Sequence, residues 1–152
     1  MVDKVLFSSE STEWRTPKKL FNQLNEVYDF QLDPCTTKDN PLGTPYFYTK
    51  EENGLKQRWG YGNVFVNPPY NKEISKWLEK AIYEIKRGDI ENIIFLLPVR
   101  TDTCWFHKYI YDIETYDFRN HIEDVCFLKG RLKFTNSKNS APFPSMIVIF
   151  TK

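Results

Sequence analysis

The sequence predicts an α/β fold, with one mostly parallel sheet, helices on both faces and an antiparallel pair of strands at one edge. Short apolar runs that suit buried strands alternate with segments whose apolar residues recur at helical spacing. The last two apolar runs, at residues 125–128 and 146–150, have no helical segment between them, which favours antiparallel pairing. A length of 152 residues suits one domain, assigned to residues 1–152 with residues 1–13 as a polar lead-in.

The first helix is predicted to begin at Thr16 and Pro17, since a hydroxyl suits the N-cap and proline suits the first helical position. A short strand at residues 29–32 follows and ends at Asp33-Pro34. The apolar residues that recur at helical spacing in the first helix are Leu20, Phe21, Leu24, Val27 and Tyr28.

Residues 33–62 are rich in turn formers, with a short strand at residues 46–48. Val64-Phe65-Val66 then reads as a buried strand that stops abruptly at Asn67-Pro68-Pro69-Tyr70. Two consecutive prolines remove two backbone donors and restrict φ twice, so the chain must leave the sheet here. The abrupt stop makes this segment the first candidate for a functional site.

The second half of the chain continues the alternation of helices and strands. A helix with one apolar face spans residues 74–85 and ends at Gly88, and residues 92–97 form a strongly apolar strand. Residues 102–109 are predicted as a short helix capped by Thr101 or Asp102. Its inward-facing residues are expected to be Trp105 and Phe106.

Charge and composition exclude several classes of function. The net charge is +1, so the chain does not hold nucleic acid by bulk charge. The five basic residues of residues 129–152, a stretch without Asp or Glu, form either a solvated face or a phosphate-contacting surface. The aromatic fraction of 16% serves core packing, and in part allows stacking on bases.

The cysteines and histidines argue against a metal site. Cys35, Cys104 and Cys126 form no CxxC pair, and the histidines are His107 and His121. This usage indicates reduced thiols in a cytosolic setting and no structural zinc. The sequence has no signal core and no apolar run long enough for a bilayer, so we expect a cytoplasmic protein without membrane partners.

The segment Asn67-Pro68-Pro69-Tyr70 suits the binding of an exocyclic amine. The side-chain carbonyl of Asn67 and the backbone carbonyl of Pro68 are two rigidly held acceptors, and Pro69 offers no competing N–H. The ring of Tyr70 is suited to stacking on a planar base. Two hydrogen-bond acceptors on one amine leave the lone pair of its nitrogen freer to attack an electrophile. If the electrophile is a methyl group on a sulfonium, its transfer requires neither a strong base nor a metal.

This segment resembles the catalytic motif of the S-adenosylmethionine-dependent amino-methyltransferases that methylate adenine N6 in DNA. The match extends from about Trp14 to Phe150 and is closest to the small phage-type members of that family. It implies a Rossmann-like class I methyltransferase sheet, S-adenosylmethionine as cofactor, double-stranded DNA as partner, and a monomer or homodimer. The other matching segments are Trp14-Arg15-Thr16-Pro17, Asp33-Pro34-Cys35, Asn53-Gly54-Leu55 with Trp59, Pro98-Val99-Arg100-Thr101-Asp102-Thr103 with Trp105-Phe106, and Gly130-Arg131-Leu132-Lys133-Phe134.

The resemblance also implies roles for individual residues. It implies that residues 67–70 are the catalytic residues. Asn67 and the Pro68 carbonyl hold the target amine, and Tyr70 stacks on the flipped base. Asp33 lies near the ammonium group of the cofactor's methionine part, where a carboxylate suits the charge. The residues expected to bind the cofactor are Trp14, Thr16, Pro17, Asp33, Cys35, Asn40, Asn53 and Gly54.

The chain departs from the family pattern in the cofactor loop. Many methyltransferases have a glycine-rich loop after the first strand, but here no glycine occurs between Asp33 and Gly43. We therefore expect a different loop path, with Asn40 as an adenosine or backbone contact. Glu51 and Asp39 are the two candidates for the acid that binds the ribose hydroxyls of the cofactor.

Substrate readout is assigned to loops, because the chain has little room for a recognition domain. The candidate loops are residues 110–124 and 129–144. Arg100, Arg131, Lys133 and Lys138 are expected to contact phosphates, with a guanine edge as the alternative for either arginine. Two other functions stay open, namely methylation of a protein glutamine or of RNA, and a non-catalytic module that binds DNA or cofactor.

Overall fold

The computed structural model describes residues 13–152 of the chain. The polar lead-in predicted for residues 1–13 therefore lies outside the described residues, apart from Glu13. The helices in this part of the chain are α1 (Lys18–Tyr28), α2 (Ile74–Arg87) and α3 (Cys104–Tyr109), with a 3-10 turn at Gly54–Lys56. The strands are β1 (Phe30–Thr36), β2 (Tyr46–Thr49), β3 (Gly62–Val66), β4 (Ile90–Pro98), β5 (Tyr111–Asp112), β6 (Asp117–Phe118), β7 (Ile122–Phe127) and β8 (Ser145–Thr151).

A six-stranded sheet organises the molecule, with the strand order β2-β1-β3-β4-β8-β7. The first four strands are parallel, and β8 runs antiparallel to both of its neighbours. The prediction of a mostly parallel sheet with an antiparallel edge pair is therefore confirmed. Because β1, β3 and β4 are adjacent, their carboxyl ends lie at one edge of the sheet, where ligands bind in this class of fold.

The central strands are buried on both faces, which explains why they read as continuous apolar runs. Phe65 of β3 packs against Phe21 of α1, with ring centroids 5.3 Å apart. Side chains alternate along a strand, so Val64 and Val66 face the other side of the sheet, and both are fully buried. The helix α2 packs against β4 and β8.

The beginning of α1 differs from the prediction. Pro17, not Thr16, is the N-cap, with φ −61° and ψ 128°, and no side chain caps the helix. The hydroxyl of Thr16 instead accepts a hydrogen bond from Asn67 Nδ2 at 2.9 Å. The hydroxyl oxygen that would cap the helix therefore binds a residue far away in the sequence. Val27 is also 76% exposed, and the predicted apolar face is fully buried only at Phe21.

The helix α3 also begins later than predicted. Its N-cap is Thr103, whose side chain accepts a hydrogen bond from the backbone N–H of Phe106, so the expected caps Thr101 and Asp102 were wrong. Both of those residues lie in a turn that precedes the helix. Trp105 and Phe106 are buried as predicted.

The helix α2 carries a buried carboxylate that its periodicity did not reveal. Glu84 is 2% exposed, and its Oε1 accepts a hydrogen bond from the backbone N–H of Trp59 at 2.7 Å. Its Oε2 lies 3.3 Å from Lys80 Nζ and 3.8 Å from Arg87 Nη1. A buried charge is tolerated only when it is paired and hydrogen-bonded, and Glu84 meets both conditions. This carboxylate thereby fixes the chain just before β3 to the helix that follows β3.

We predict that Glu84→Ala lowers the free energy of unfolding by about 3–5 kcal/mol, because it leaves a buried N–H and the half-buried Lys80 ammonium without their partner. Glu84→Gln keeps the acceptor for Trp59 and is expected to cost about 1–2 kcal/mol. Urea unfolding followed by circular dichroism measures both. The control is Glu79→Ala on the exposed part of the same helix, which is expected to change stability by less than about 0.5 kcal/mol. Equal effects of Glu84→Ala and Glu79→Ala would contradict the structural role of Glu84.

Candidate active site

The side chain of Asn67 has a fixed orientation directly after β3. Its Nδ2 donates hydrogen bonds to the carbonyl of Trp14 at 2.5 Å and to Thr16 Oγ1 at 2.9 Å. Both amide hydrogens are therefore occupied. The Oδ1 atom is buried and has no hydrogen-bond partner among the described residues. An unpaired buried acceptor costs about 1–3 kcal/mol, so this atom is suited to receive a donor from a ligand.

The two prolines lead the chain from the sheet edge into α2. Pro68 is buried and Pro69 is half-buried. The carbonyl of Pro69 accepts a hydrogen bond from Asn71 N at 3.0 Å, and the carbonyl of Asn71 accepts one from Ile74 N at 3.1 Å. A short series of turns thus connects residues 67–70 directly to the first residue of α2. The catalytic candidate and the helix consequently form one rigid unit.

Tyr70 is held inside the protein. It is 3% exposed, and its hydroxyl donates a hydrogen bond to the carbonyl of Leu96 at 3.1 Å. Burial raises the pKa of its hydroxyl well above the usual value, although Arg100 nearby acts in the opposite direction. The phenol is therefore neutral at physiological pH and is not available as a base.

Tyr70 and three neighbouring aromatic residues form what we call the aromatic cluster: Trp14, Tyr70, Phe134 and Phe143. Tyr70 meets the other phenyl rings edge-on, at 6.1 Å from Phe134 and 5.6 Å from Phe143. Trp14 lies 5.4 Å from Phe134 and 5.1 Å from Phe143. The guanidinium of Arg100 lies 5.9 Å from the centroid of the Phe143 ring. The sequence assigned no role to Phe134 or Phe143, because neither falls at a helical or strand spacing.

The segment around Trp14 is fixed in place by the basic loop, residues 129–144. The backbone N–H of Arg15 donates to Asn136 Oδ1 at 2.9 Å, although the two residues are 121 positions apart. In return, Thr135 N donates to the carbonyl of Arg15 at 2.9 Å, and Thr135 Oγ1 donates to the carbonyl of Thr16 at 3.1 Å. The basic loop is therefore joined to the residues that orient Asn67.

Asp33 is a buried carboxyl group with no ion-pair partner among the described residues. It lies in β1, is 3% exposed and accepts a hydrogen bond from Cys35 N at 3.2 Å. Burial raises the pKa of its carboxyl from 3.8 to about 7, against hydrogen bonds from Cys35 and Thr36 that lower it. No ion pair in residues 13–152 involves Asp33. A buried carboxylate of this kind is suited to a cationic ligand.

The turn at residues 53–55 packs directly against the end of β1. Asn53 has a left-handed backbone with φ 58°, and its Oδ1 accepts a hydrogen bond from Leu55 N at 3.2 Å. A Cβ atom on Gly54 would lie 2.0 Å from the carbonyl oxygen of Pro34, so only glycine fits there. The structure therefore brings Asn53 and Gly54 next to the segment that contains Asp33 and Cys35. Burial also raises the pKa of the Cys35 thiol, which is therefore neutral.

The glycine-poor loop after β1 is closed by Asn40. This residue adopts a left-handed conformation with φ 43°, and its Nδ2 donates a hydrogen bond to the carbonyl of Thr44 at 2.9 Å. An asparagine thus occupies a backbone region that glycine commonly supplies. Asp39 and Glu51, the two candidates for a ribose contact, are both exposed.

The predicted DNA contacts lie in the basic loop and beside the aromatic cluster. Arg131, Lys133 and Lys138 are exposed on the basic loop, and Arg100 is half-buried beside the aromatic cluster. None of the four takes part in an ion pair within residues 13–152. Their charges are therefore available to an anionic partner.

Two kinds of site are not found in the part of the chain that the structure describes. No group of His, Cys, Asp and Glu residues there is arranged to hold a metal ion. None of the helices between residues 13 and 152 combines the length and the apolar character that a membrane span requires.

The site can be compared with known proteins. A crystal structure of a "putative RNA methyltransferase" from Pyrococcus horikoshii superposes with a TM-score of 0.58 at 12% identity, and covers 92% of this chain and 86% of that chain. At this identity the likeness shows the fold, and it confirms the Rossmann-like α/β methyltransferase architecture. No curated protein sequence matches the chain significantly. The model of a family described as DNA N-6-adenine-methyltransferase (Dam) matches residues 5–152, and the chain therefore belongs to this family.

Proposed function

We propose that the protein transfers a methyl group from S-adenosylmethionine to N6 of adenine in double-stranded DNA, at the site formed by residues 67–70. The observation that carries this proposal is the buried Asn67 Oδ1, an oriented acceptor without a partner among the described residues. The family to which the chain belongs supports adenine as the substrate. The phage-type resemblance of the sequence also supports adenine in DNA as the substrate.

The residues at the ends of β1 and β3 fit S-adenosylmethionine. Asp33 is a buried carboxylate without an ion pair in the described chain, and the ammonium group of the cofactor would supply its cation. When bound, this cofactor supplies a methyl group activated by a sulfonium. The residues that we propose to line its pocket are Trp14, Thr16, Pro17, Asp33, Cys35, Asn40, Asn53 and Gly54.

Asn67 and Pro68 act on the adenine amine in this proposal. The hydrogen bonds from Asn67 Nδ2 to Trp14 and Thr16 keep the amide from rotating, so its oxygen stays directed at the substrate. Asn67 Oδ1 and the Pro68 carbonyl accept the two hydrogens of the amine and draw its lone pair out of conjugation with the ring. Preorganised acceptors of this type stabilise the positive charge that develops on nitrogen during the transfer.

Adenine must leave the duplex to reach Asn67, since its N6 is inaccessible to a closed pocket inside the helix. Tyr70 is 3% exposed, so a base can stack on its ring only if a neighbouring side chain moves aside. Phe143 is the half-buried member of the aromatic cluster that contacts Tyr70. We propose that Arg100, Arg131, Lys133 and Lys138 contact the phosphates and offset part of the unstacking cost.

We predict that Asn67→Ala lowers the rate of methyl transfer by about 10²–10³-fold, because it removes the oriented acceptor, and leaves the Kd for S-adenosylmethionine nearly unchanged. The assay uses labelled cofactor and unmethylated duplex DNA, followed by digestion to nucleosides and detection of N6-methyladenine.

The matched control for this experiment is Asn63→Ala. Asn63 lies in β3, the strand that ends just before Asn67, and its Nδ2 also donates to a backbone carbonyl, that of Tyr28. This variant is expected to retain the transfer rate at a temperature where it is folded. Transfer at the wild-type rate by Asn67→Ala would refute its role. Label that appears only in RNA or protein would favour the other amino-methyltransferase functions.

Asp33 generates a prediction for pH dependence. Because burial raises its pKa from 3.8 to about 7, the folded protein binds a proton more tightly than the unfolded chain does. The stability of the protein without cofactor should therefore fall as pH rises from about 4 to 7, and the penalty is complete above about 7. The amide of Asp33→Asn carries no charge at any of these pH values, so this variant should not lose stability as the pH rises and should have an equal or higher Tm at pH 8. The same variant should bind the cofactor more weakly.

Thermal melts from pH 5 to pH 8 and calorimetric titration with S-adenosylmethionine measure both effects of Asp33→Asn. The control is Asp102→Asn at an exposed turn, which should reproduce the wild-type pH profile and Kd. A wild-type pH profile in Asp33→Asn would refute the burial penalty. Undiminished cofactor binding would refute the proposed contact with the ammonium group.

A further inference from the structure

We infer that Trp59 is a positioning residue that holds the turn of residues 53–55 in its cofactor-binding conformation. This inference rests on the proposed function, because it takes that turn as part of the cofactor pocket. Trp59 lies in the loop before β3 and is 1% exposed. Its indole Nε1 donates a hydrogen bond to the carbonyl of Gly54 at 2.8 Å, with both groups buried.

The turn needs an external support because its own conformation is unfavourable. Asn53 has φ 58°, a region that residues other than glycine rarely adopt. Within the turn, Lys56 N donates to the carbonyl of Asn53 at 2.9 Å, and Gln57 N donates to the carbonyl of Gly54 at only 3.4 Å. The indole of Trp59 binds the carbonyl of the next residue, Gly54, and so fixes the peptide that packs against Pro34.

Trp59 is itself anchored to α2. Its backbone N–H donates to Glu84 Oε1 at 2.7 Å, and its ring stacks on Trp77 with centroids 6.2 Å apart and planes inclined by 27°. Lys80 Nζ lies 5.8 Å from the centroid of the Trp59 ring. A continuous series of contacts therefore runs from α2 through Trp59 and Gly54 to the end of β1. Since α2 also follows residues 67–70, one helix supports both the catalytic segment and the cofactor turn.

Trp77 provides a matched control for packing, because its ring stacks on Trp59 and also lies against Gly54, with its Cη2 3.1 Å from where a Cβ of Gly54 would be. It is 5% exposed, and its Nε1 has no hydrogen-bond partner in the described part of the chain. Replacement of either tryptophan by phenylalanine removes one indole from the pair. Only the replacement of Trp59 removes the 2.8 Å hydrogen bond to the buried carbonyl of Gly54, which then keeps only the longer bond of 3.4 Å from Gln57 N.

The test compares Trp59→Phe with Trp77→Phe. Calorimetric titration with S-adenosylhomocysteine should give a Kd about tenfold higher for Trp59→Phe and within about twofold of wild type for Trp77→Phe. In methylation assays on duplex DNA, Trp59→Phe should raise the KM for S-adenosylmethionine and leave kcat at saturating cofactor within about twofold of wild type. Hydrogen exchange adds a structural readout, because the amides of Lys56 and Gln57 should exchange faster in Trp59→Phe alone.

The outcomes separate the positioning role from a general loss of packing. Equal weakening of cofactor binding in the two variants, or none in either, would overturn the role of Trp59, as would a fall in kcat without a rise in KM. Wild-type protein that binds neither S-adenosylmethionine nor S-adenosylhomocysteine would contradict the proposed function and this inference together. Wild-type protein that binds normally, with Trp59→Phe unchanged, would contradict this inference alone.

Discussion

The pair of hydrogen bonds from the Asn67 amide to the Trp14 carbonyl and the Thr16 hydroxyl determines how the site is assembled. These bonds orient the amide so that its oxygen is left free, and they hold the segment before α1 against the end of β3. The basic loop binds the same segment through Arg15 and Thr16, so it is positioned by the same contact. The aromatic cluster and the exposed cations follow from this arrangement.

Among the described residues, two buried groups near the sheet edge lack a partner, a hydrogen-bond donor in one case and a cation in the other, and both are expensive to bury. Asn67 Oδ1 has no partner among the described residues, and Asp33 is a carboxylate whose pKa burial raises to about 7. A ligand that brings an amine donor and a cation would complete both groups. Glu84, by contrast, is buried with its partners present. We interpret this difference as a division between groups that stabilise the fold and groups that are reserved for binding.

Much of the fold was predictable from local sequence. Buried parallel strands read as continuous apolar runs, and α2 ends at Gly88 as its sequence indicated, because both signals depend on neighbouring residues. The cap of α3 was misplaced by only one or two residues, whereas two other features depended on residues far away in the sequence. Thr16 does not cap α1, since Asn67 occupies its hydroxyl. The buried Glu84 was missed because its partner Trp59 lies 25 residues away.

The sequence by itself determined the fold class and singled out the candidate catalytic segment, because an asparagine followed by two prolines and a tyrosine after a buried strand restricts both backbone and chemistry. Only the tertiary structure decided which atom of Asn67 is free, that Asp33 lacks a cation, and that Phe134 and Phe143 surround Tyr70. It also revealed the support of the turn at Gly54 by Trp59. The physical reason is that hydrogen-bond pairing and burial depend on residues that meet only when the chain has folded.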